Sequence, residues 1–275
     1  MTELTLTESA PRGVLSEVFH RQRTLAAYGL LLLLLTPLLL VLQQIDLRTW
    51  DGSDVWAKPT KFVFSTAVFA LTSAWFFGYV RPERRKAPSL RAIVGVIIAA
   101  GSFEIIYIAW QAGHGLASHF NMSSTFYAIM YALMGLGAVL LVASMLPLAW
   151  EIARRPARGL NTHYVAAVVI GLALCFVLGG GFGGYMAQQP GHAVGLVGGH
   201  APLFGWNRAG GDLRIAHFLG IHAQQAIPIL GLAVAVLPPR LRWPALIGGS
   251  LAYIALAVAL FVQALNGHPL LPNWL

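Results

Sequence analysis

The sequence predicts an all-α polytopic membrane protein: a bundle of seven transmembrane helices, N-terminus cytoplasmic and C-terminus outside. Composition is the first observation. Hydrophobic residues make up 57% of the 275-residue chain and charged residues 10%, with a mean hydropathy of +0.68, whereas about a quarter of a soluble domain is charged. Patterning is the second. Crossing a hydrocarbon layer of roughly 30 Å at about 1.5 Å per residue takes about 20 apolar residues, and such stretches fall near residues 26–43, 61–80, 92–111, 125–147, 164–186, 214–236 and 244–265.

The third observation is charge. Cytoplasmic loops carry the excess of Lys and Arg. Arg12, Arg21 and Arg23 precede the first span; Arg81, Arg84, Arg85, Lys86 and Arg91 fill the second gap; Arg154, Arg155 and Arg158 the fourth; Arg240 and Arg242 the sixth. The alternate side has Arg48, Lys58, Lys61, Arg208 and Arg214, so 13 stand against five and the first side is expected to be cytoplasmic. Tryptophans follow the same boundaries: Trp50, Trp56, Trp110, Trp206 and Trp274 outside, Trp150 and Trp243 inside, as an aromatic belt requires. The net charge of +8 does not indicate nucleic acid, because the basic residues sit in short gaps rather than on a water-facing patch. The expected surroundings are a lipid bilayer of the bacterial inner (plasma) membrane type.

Residues 1–22 form a polar cytoplasmic tail, mobile or interfacial, and residues 23–275 the seven-helix domain. The first span is Leu-rich with no small-residue cleavage site after it, so it reads as a retained helix. Pro37 and Pro228 lie inside spans and favour kinks. Gly179, Gly180, Gly181, Gly183 and Gly184 crowd the outer end of the fifth span, where small residues let helices pack closely. Asp212 is placed to cap the sixth span. Asp54 holds a similar place before the second, which with three spans on either side of a fourth permits a parallel three-plus-one-plus-three repeat. Cys175, the single cysteine, lies in a span and excludes an intrachain disulfide.

Candidate chemistry gathers on the outer side. Glu104 is the one carboxylate inside a span, a costly position unless paired or facing a wet cavity, and Gln111 shares its face at i,i+7. His114 and His119 close the third span; Asp212, Arg214, His217, His222, Gln224 and Gln225 open the sixth. Each His pair is five apart, about 140° around a helix, so neither chelates an ion from one helix, where three or four apart is needed. The expectation is a site shared between neighbouring third and sixth spans, with Glu104 as acid, base or ligand. His114 or His119 with His217 or His222 would hold haem b or a divalent transition metal, imidazole serving either; Gln111, Asp212, Arg214, Gln224 and Gln225 would support it. The bland alternative is histidines that cap or bond nearby loops. His192, His200 and His268 read as loop residues, Met122, Met130 and Met134 as packing, and Lys58 and Lys61 as snorkelling to the outer interface. Residues 187–213 form a lid or a flexible linker.

There is no phosphate-binding Gly-Lys-Ser/Thr loop, no Gly-x-Ser-x-Gly elbow and no lysine in the last span for a retinal Schiff base. Seven spans with a carboxylate and several histidines resemble, in architecture, the membrane hydrolases related to alkaline ceramidases and adiponectin receptors, which hold zinc with three His. Their His-x-x-x-His in the last span is missing here, where only Gln263 stands. Three functions are compatible with the residues. One is a membrane oxidoreductase or metal-assisted enzyme acting on a lipid-soluble or other small-molecule substrate. The others are a proton-coupled small-solute transporter or ligand sensor, and a noncatalytic assembly subunit.

Overall fold

The computed structural model describes residues 13–50, 52–201 and 204–271; Arg12 and Trp274, counted above, lie outside them. Among the described residues, seven helical segments are long and apolar enough to span a membrane: Arg23–Ile45, Ala57–Phe77, Pro88–Gly113, Thr125–Arg154, Thr162–Ala187, Arg214–Val234 and Pro239–Leu265. All seven expected spans are present. The second begins four residues earlier than expected, which draws Lys58 and Lys61 into its first turn instead of leaving them at its edge.

Helix α1 (Val14–Arg21) occupies the described part of the tail. Glu17 and Arg21 pair one turn apart at 2.7 Å. Arg21 also stacks over Trp75 at 3.8 Å and donates to the Trp75 carbonyl, which fastens the tail to the second span. Gln22, in extended backbone, breaks the helix and caps α2 (Arg23–Ile45) by accepting from the Leu25 amide. Helix α2 runs through Pro37 with Leu31, Leu34, Leu35, Leu38 and Leu40 outward. A two-residue ladder, β1 (Thr49–Trp50) against β2 (Ser53–Asp54), leads into α3 (Ala57–Phe77). This is the most enclosed span, 56% buried over its apolar window against 17% for the last, so it runs through the middle of the bundle.

Helix α4 (Pro88–Gly113) opens on proline, whose missing N–H is not needed in a first turn. The fourth span is two helices, α5 (Thr125–Ala143) and α6 (Met145–Arg154), jointed at Ser144, whose hydroxyl donates back to the Leu141 carbonyl. Asn161 caps α7 (Thr162–Leu174), and the fifth span then widens into a π-helical turn, Cys175–Gly180, before α8 (Gly181–Ala187). The glycine cluster is therefore a change of helix type. A second ladder, β3 (Ala193–Val194) against β4 (Gly211–Asp212), leads into α9 (Arg214–Val234), and α10 (Pro239–Leu265) follows.

The apolar core lies towards the basic end, where α1, the start of α2, the far half of α3, the start of α4, α6 and α7 meet through Val18, Leu25, Phe77, Leu90, Ile97, Met145, Leu148, Ile152 and Leu172. Polar groups are left to the opposite end, which carries His114, His119, His217 and His222. The two flanking parts are built alike: α3 packs on α2 and α4, and α9 packs on α7 and α10. Ahead of α3 and α9, a short ladder ends in an aspartate whose Oδ1 accepts from the amide two residues on, Trp56 for Asp54 and Arg214 for Asp212.

The third and sixth spans are not packed helix on helix. Helix α4 rests on α3 and α5, whereas α9 rests on α7, the π turn and α10. Small residues account for this: a Cβ on Gly220 would come within 2.5 Å of the Gly179 amide, and one on Gly171 within 2.8 Å of the Ala223 carbonyl. Backbones this close commit α9 to α7. Gly220→Ala is expected to destabilise the protein by about 1–3 kcal/mol through overpacking, whereas Gly184→Ala, into open space, is expected to leave it unchanged. Thermal unfolding midpoints in detergent would check the contrast.

Candidate functional site: a buried charge cluster at the histidine end

Glu104 faces inward from α4, 6% exposed, and its Oε2 is buried without a hydrogen-bond partner. The loop after α4 turns back through Phe120, the non-glycine residue with positive φ among those described, and returns His119 to the bundle. His119 Nε2 comes to 4.0 Å from Glu104 Oε2, and its Nδ1 lies 3.1 Å from Ser118 Oγ. Phe62 and Tyr131 flank the imidazole. Gln111 holds this loop by donating to the Ala117 carbonyl and to Tyr107. The polar stripe expected along α4 thus exists, with Gln111 fixing the loop and Glu104 meeting the histidine it returns.

Lys58 and Lys61 are half-buried and have partners at this end of the bundle. Lys58 is within electrostatic reach of Glu104, Arg214 and Lys61, beside the Phe62 ring. Lys61 donates to the Phe204 carbonyl at 3.1 Å. Sequence reasoning missed this pair, although it contained the signal. Cations in a helix's first turn face the positive end of its dipole, an unfavourable placement that is better explained by a partner than by chance.

Asp212 is fully buried and saturated: Arg214 donates to it from Nε at 2.9 Å, from Nη2 at 2.6 Å and from its amide at 3.0 Å, and the Asn207 amide donates at 2.8 Å. Asp212 is not the cap itself: Leu213 holds the N-cap position, and Asp212, one residue earlier, accepts from the first amide of α9. Arg214 Nη2 also reaches the Gly205 carbonyl at 2.6 Å. The described part of the loop before α9 is held by hydrogen bonds and ring contacts. Asn207 bonds Gly198, Leu196 and Gly211, and Phe204 stacks on Trp206 at 4.5 Å, both against Phe218.

The remaining candidates separate. His217 Nδ1 lies 2.9 Å from the Gly179 carbonyl, within the π turn, and Gly183 leaves the space its ring occupies. It is close enough to His119 to interact electrostatically. His222 pairs with Gln225 at 3.2 Å and stacks on Phe218, and Gln225 reaches Thr72 of α3. Gln224 is wholly buried, both amide atoms unpartnered. His114 is exposed, stacked on Trp110 and bonded to the Trp110 carbonyl, away from the cluster. Hence Glu104, His119, His217, Asp212 and Arg214 come together with Lys58 and Lys61, while His114 does not join them. Among the described residues, no three His, Cys, Asp or Glu side chains form a group able to hold a metal ion. The metal reading is left without its ligand set. Two shallow surface grooves, one lined by Leu146, Pro147 and Trp150 and one by Arg81, Pro82 and Arg158, are lined by none of the cluster's residues.

Two measurements follow from this geometry. Asp212→Asn leaves the half-buried Arg214 guanidinium without its counter-charge and is expected to cost about 1–3 kcal/mol, read as a drop in unfolding midpoint. His119 lies in the loop between spans, where burial, reinforced by Lys58 and His217, pushes its imidazole well below the usual range. A histidine harder to protonate folded than unfolded contributes stability present above about pH 6.5 and lost as pH falls. Unfolding midpoints should therefore drop from about pH 7 to about pH 5, more steeply in the native protein than in His119→Gln. Comparison with family models, curated proteins and solved structures finds no match.

Proposed function

We propose that this protein is a proton-coupled carrier of a small solute, with the histidine end facing outward across a bacterial-type plasma membrane. The observation that carries the reading is the buried Glu104 carboxylate, whose Oε2 lacks a hydrogen bond while an imidazole stands 4.0 Å away. A carboxylate oxygen kept dry and unbonded is expensive when ionised and inexpensive when protonated. Such a group takes and releases a proton as nearby charge changes. Lys58 supplies one such charge, and a bound solute would change it.

The architecture supports the same reading. Two similarly built parts meet where α3 faces α9, and carriers made of parallel repeats hold substrate at the repeat interface. The Gln225 to Thr72 bond crosses that junction. The π turn is a second device of this kind, since such turns free backbone carbonyls and recur at functional sites; here the carbonyl of Gly179 meets His217. The excess of basic residues at the other end supports the orientation.

Infrared difference spectra of the purified protein across a pH step should show a protonated-carboxyl band that Glu104→Gln removes. An unchanged band in the variant would overturn the assignment of the proton to Glu104, and a Soret band in the native protein would favour haem instead. Reporter fusions after residue 265 should be active outside the cell and those in the gap at 155–161 inside; the reverse pattern would invert the orientation.

A further inference from the structure

Three cations, Lys58, Lys61 and Arg214, stand at the histidine end with two carboxylates, Glu104 and Asp212. Asp212 is consumed by Arg214 and the Asn207 amide. Lys61 and Arg214 spend further donors on the adjacent carbonyls of Phe204 and Gly205. Lys58, half-buried, makes no side-chain hydrogen bond to a described residue, and Glu104, within its electrostatic reach, keeps a buried Oε2 with no partner. An unbonded ammonium and an unbonded carboxylate oxygen therefore share one corner without touching. His119 lies between α4 and this corner, and His217 beyond it. The corner also receives the N-terminal ends of α3 and α9, which add positive potential.

We infer that this corner binds a small monocarboxylate, whose anionic group bonds the Lys58 ammonium while Glu104 holds a proton that enters with it. The charge count sets the valence. With Glu104 ionised and the histidines neutral, the five groups carry one positive charge in excess, and with Glu104 protonated they carry two. A monoanion and a proton arriving together leave the net charge of the corner unchanged, as a low-dielectric setting favours. The surroundings set the chemical class: Phe62 lies beside both Lys58 and His119 and packs with Tyr107, Ile108 and Met134, so apolar side chains adjoin the charged groups and suit an anion with a short apolar tail. No bond is made or broken beyond the transfer of the proton to Glu104.

The inference rests on the carrier reading of the same site. Full-length protein in detergent would be titrated by calorimetry with butyrate, with butyramide and with inorganic phosphate at pH 6 and pH 8. The expected result is butyrate binding, stronger at the lower pH, with butyramide and phosphate at least tenfold weaker, and a tenfold or greater loss in Lys58→Gln that Lys58→Arg partly restores. Equal binding of butyrate and butyramide, tighter binding of phosphate, or no butyrate binding would overturn the carboxylate site. The comparison of the three probes on unsubstituted protein decides the matter even where the Lys58 variants do not fold. Butyrate binding without any Glu104-dependent carboxyl band would instead overturn proton coupling and leave the anion site standing.

Discussion

The approach of Gly220 to Gly179 is the contact on which the polar end depends. With no Cβ between them, α9 lies against the fifth span closely enough that a methyl group would collide with backbone. That closeness coincides with the π-helical turn over Cys175–Gly180, where the Gly179 carbonyl is taken up by His217. The same contact sets the depth of Arg214 and Asp212 at the start of α9. It thereby fixes what Lys58 and Lys61 meet when α3 brings them in from the other part of the bundle.

The division of labour between the two ends follows. Inside a bilayer, burying apolar surface gives little driving force between helices, because lipid is as apolar as leucine. Cohesion comes instead from close packing at the basic end, around Phe77, Leu90 and Leu148, and from polar links at the other. Some of those links are saturated, as between Asp212 and Arg214. Others are left open, at Glu104, Lys58 and Gln224. The saturated links hold the geometry in which Lys58 and Glu104 share one cluster.

Legibility of the site divides in the same way. Glu104 stood out in the sequence because a lone carboxylate in an apolar run has few physical excuses, and its pairing with a histidine followed from the short loop after α4. The hydropathy profile sets Lys58 and Lys61 at the edge of the second span, whereas the folded chain begins that helix at Ala57 and brings both, half-buried, within electrostatic reach of Arg214. His114 and His119 look equivalent in the sequence. Their fates diverge because the reversal at Phe120 returns one to the bundle and leaves the other on Trp110 outside.

The sequence by itself determined the seven crossings, their approximate bounds and the end at which polar chemistry collects, since each of these depends on local hydropathy and on charge counted along the chain. Which crossings touch was decided only by the tertiary structure. Helix pairing in lipid turns on the sub-ångström fit of glycine and alanine faces between segments far apart in sequence, and composition carries no record of which faces meet. The expected partnership of α4 with α9 gave way to α9 on α7 for that reason, and the cluster around Glu104 took its basic members from α3.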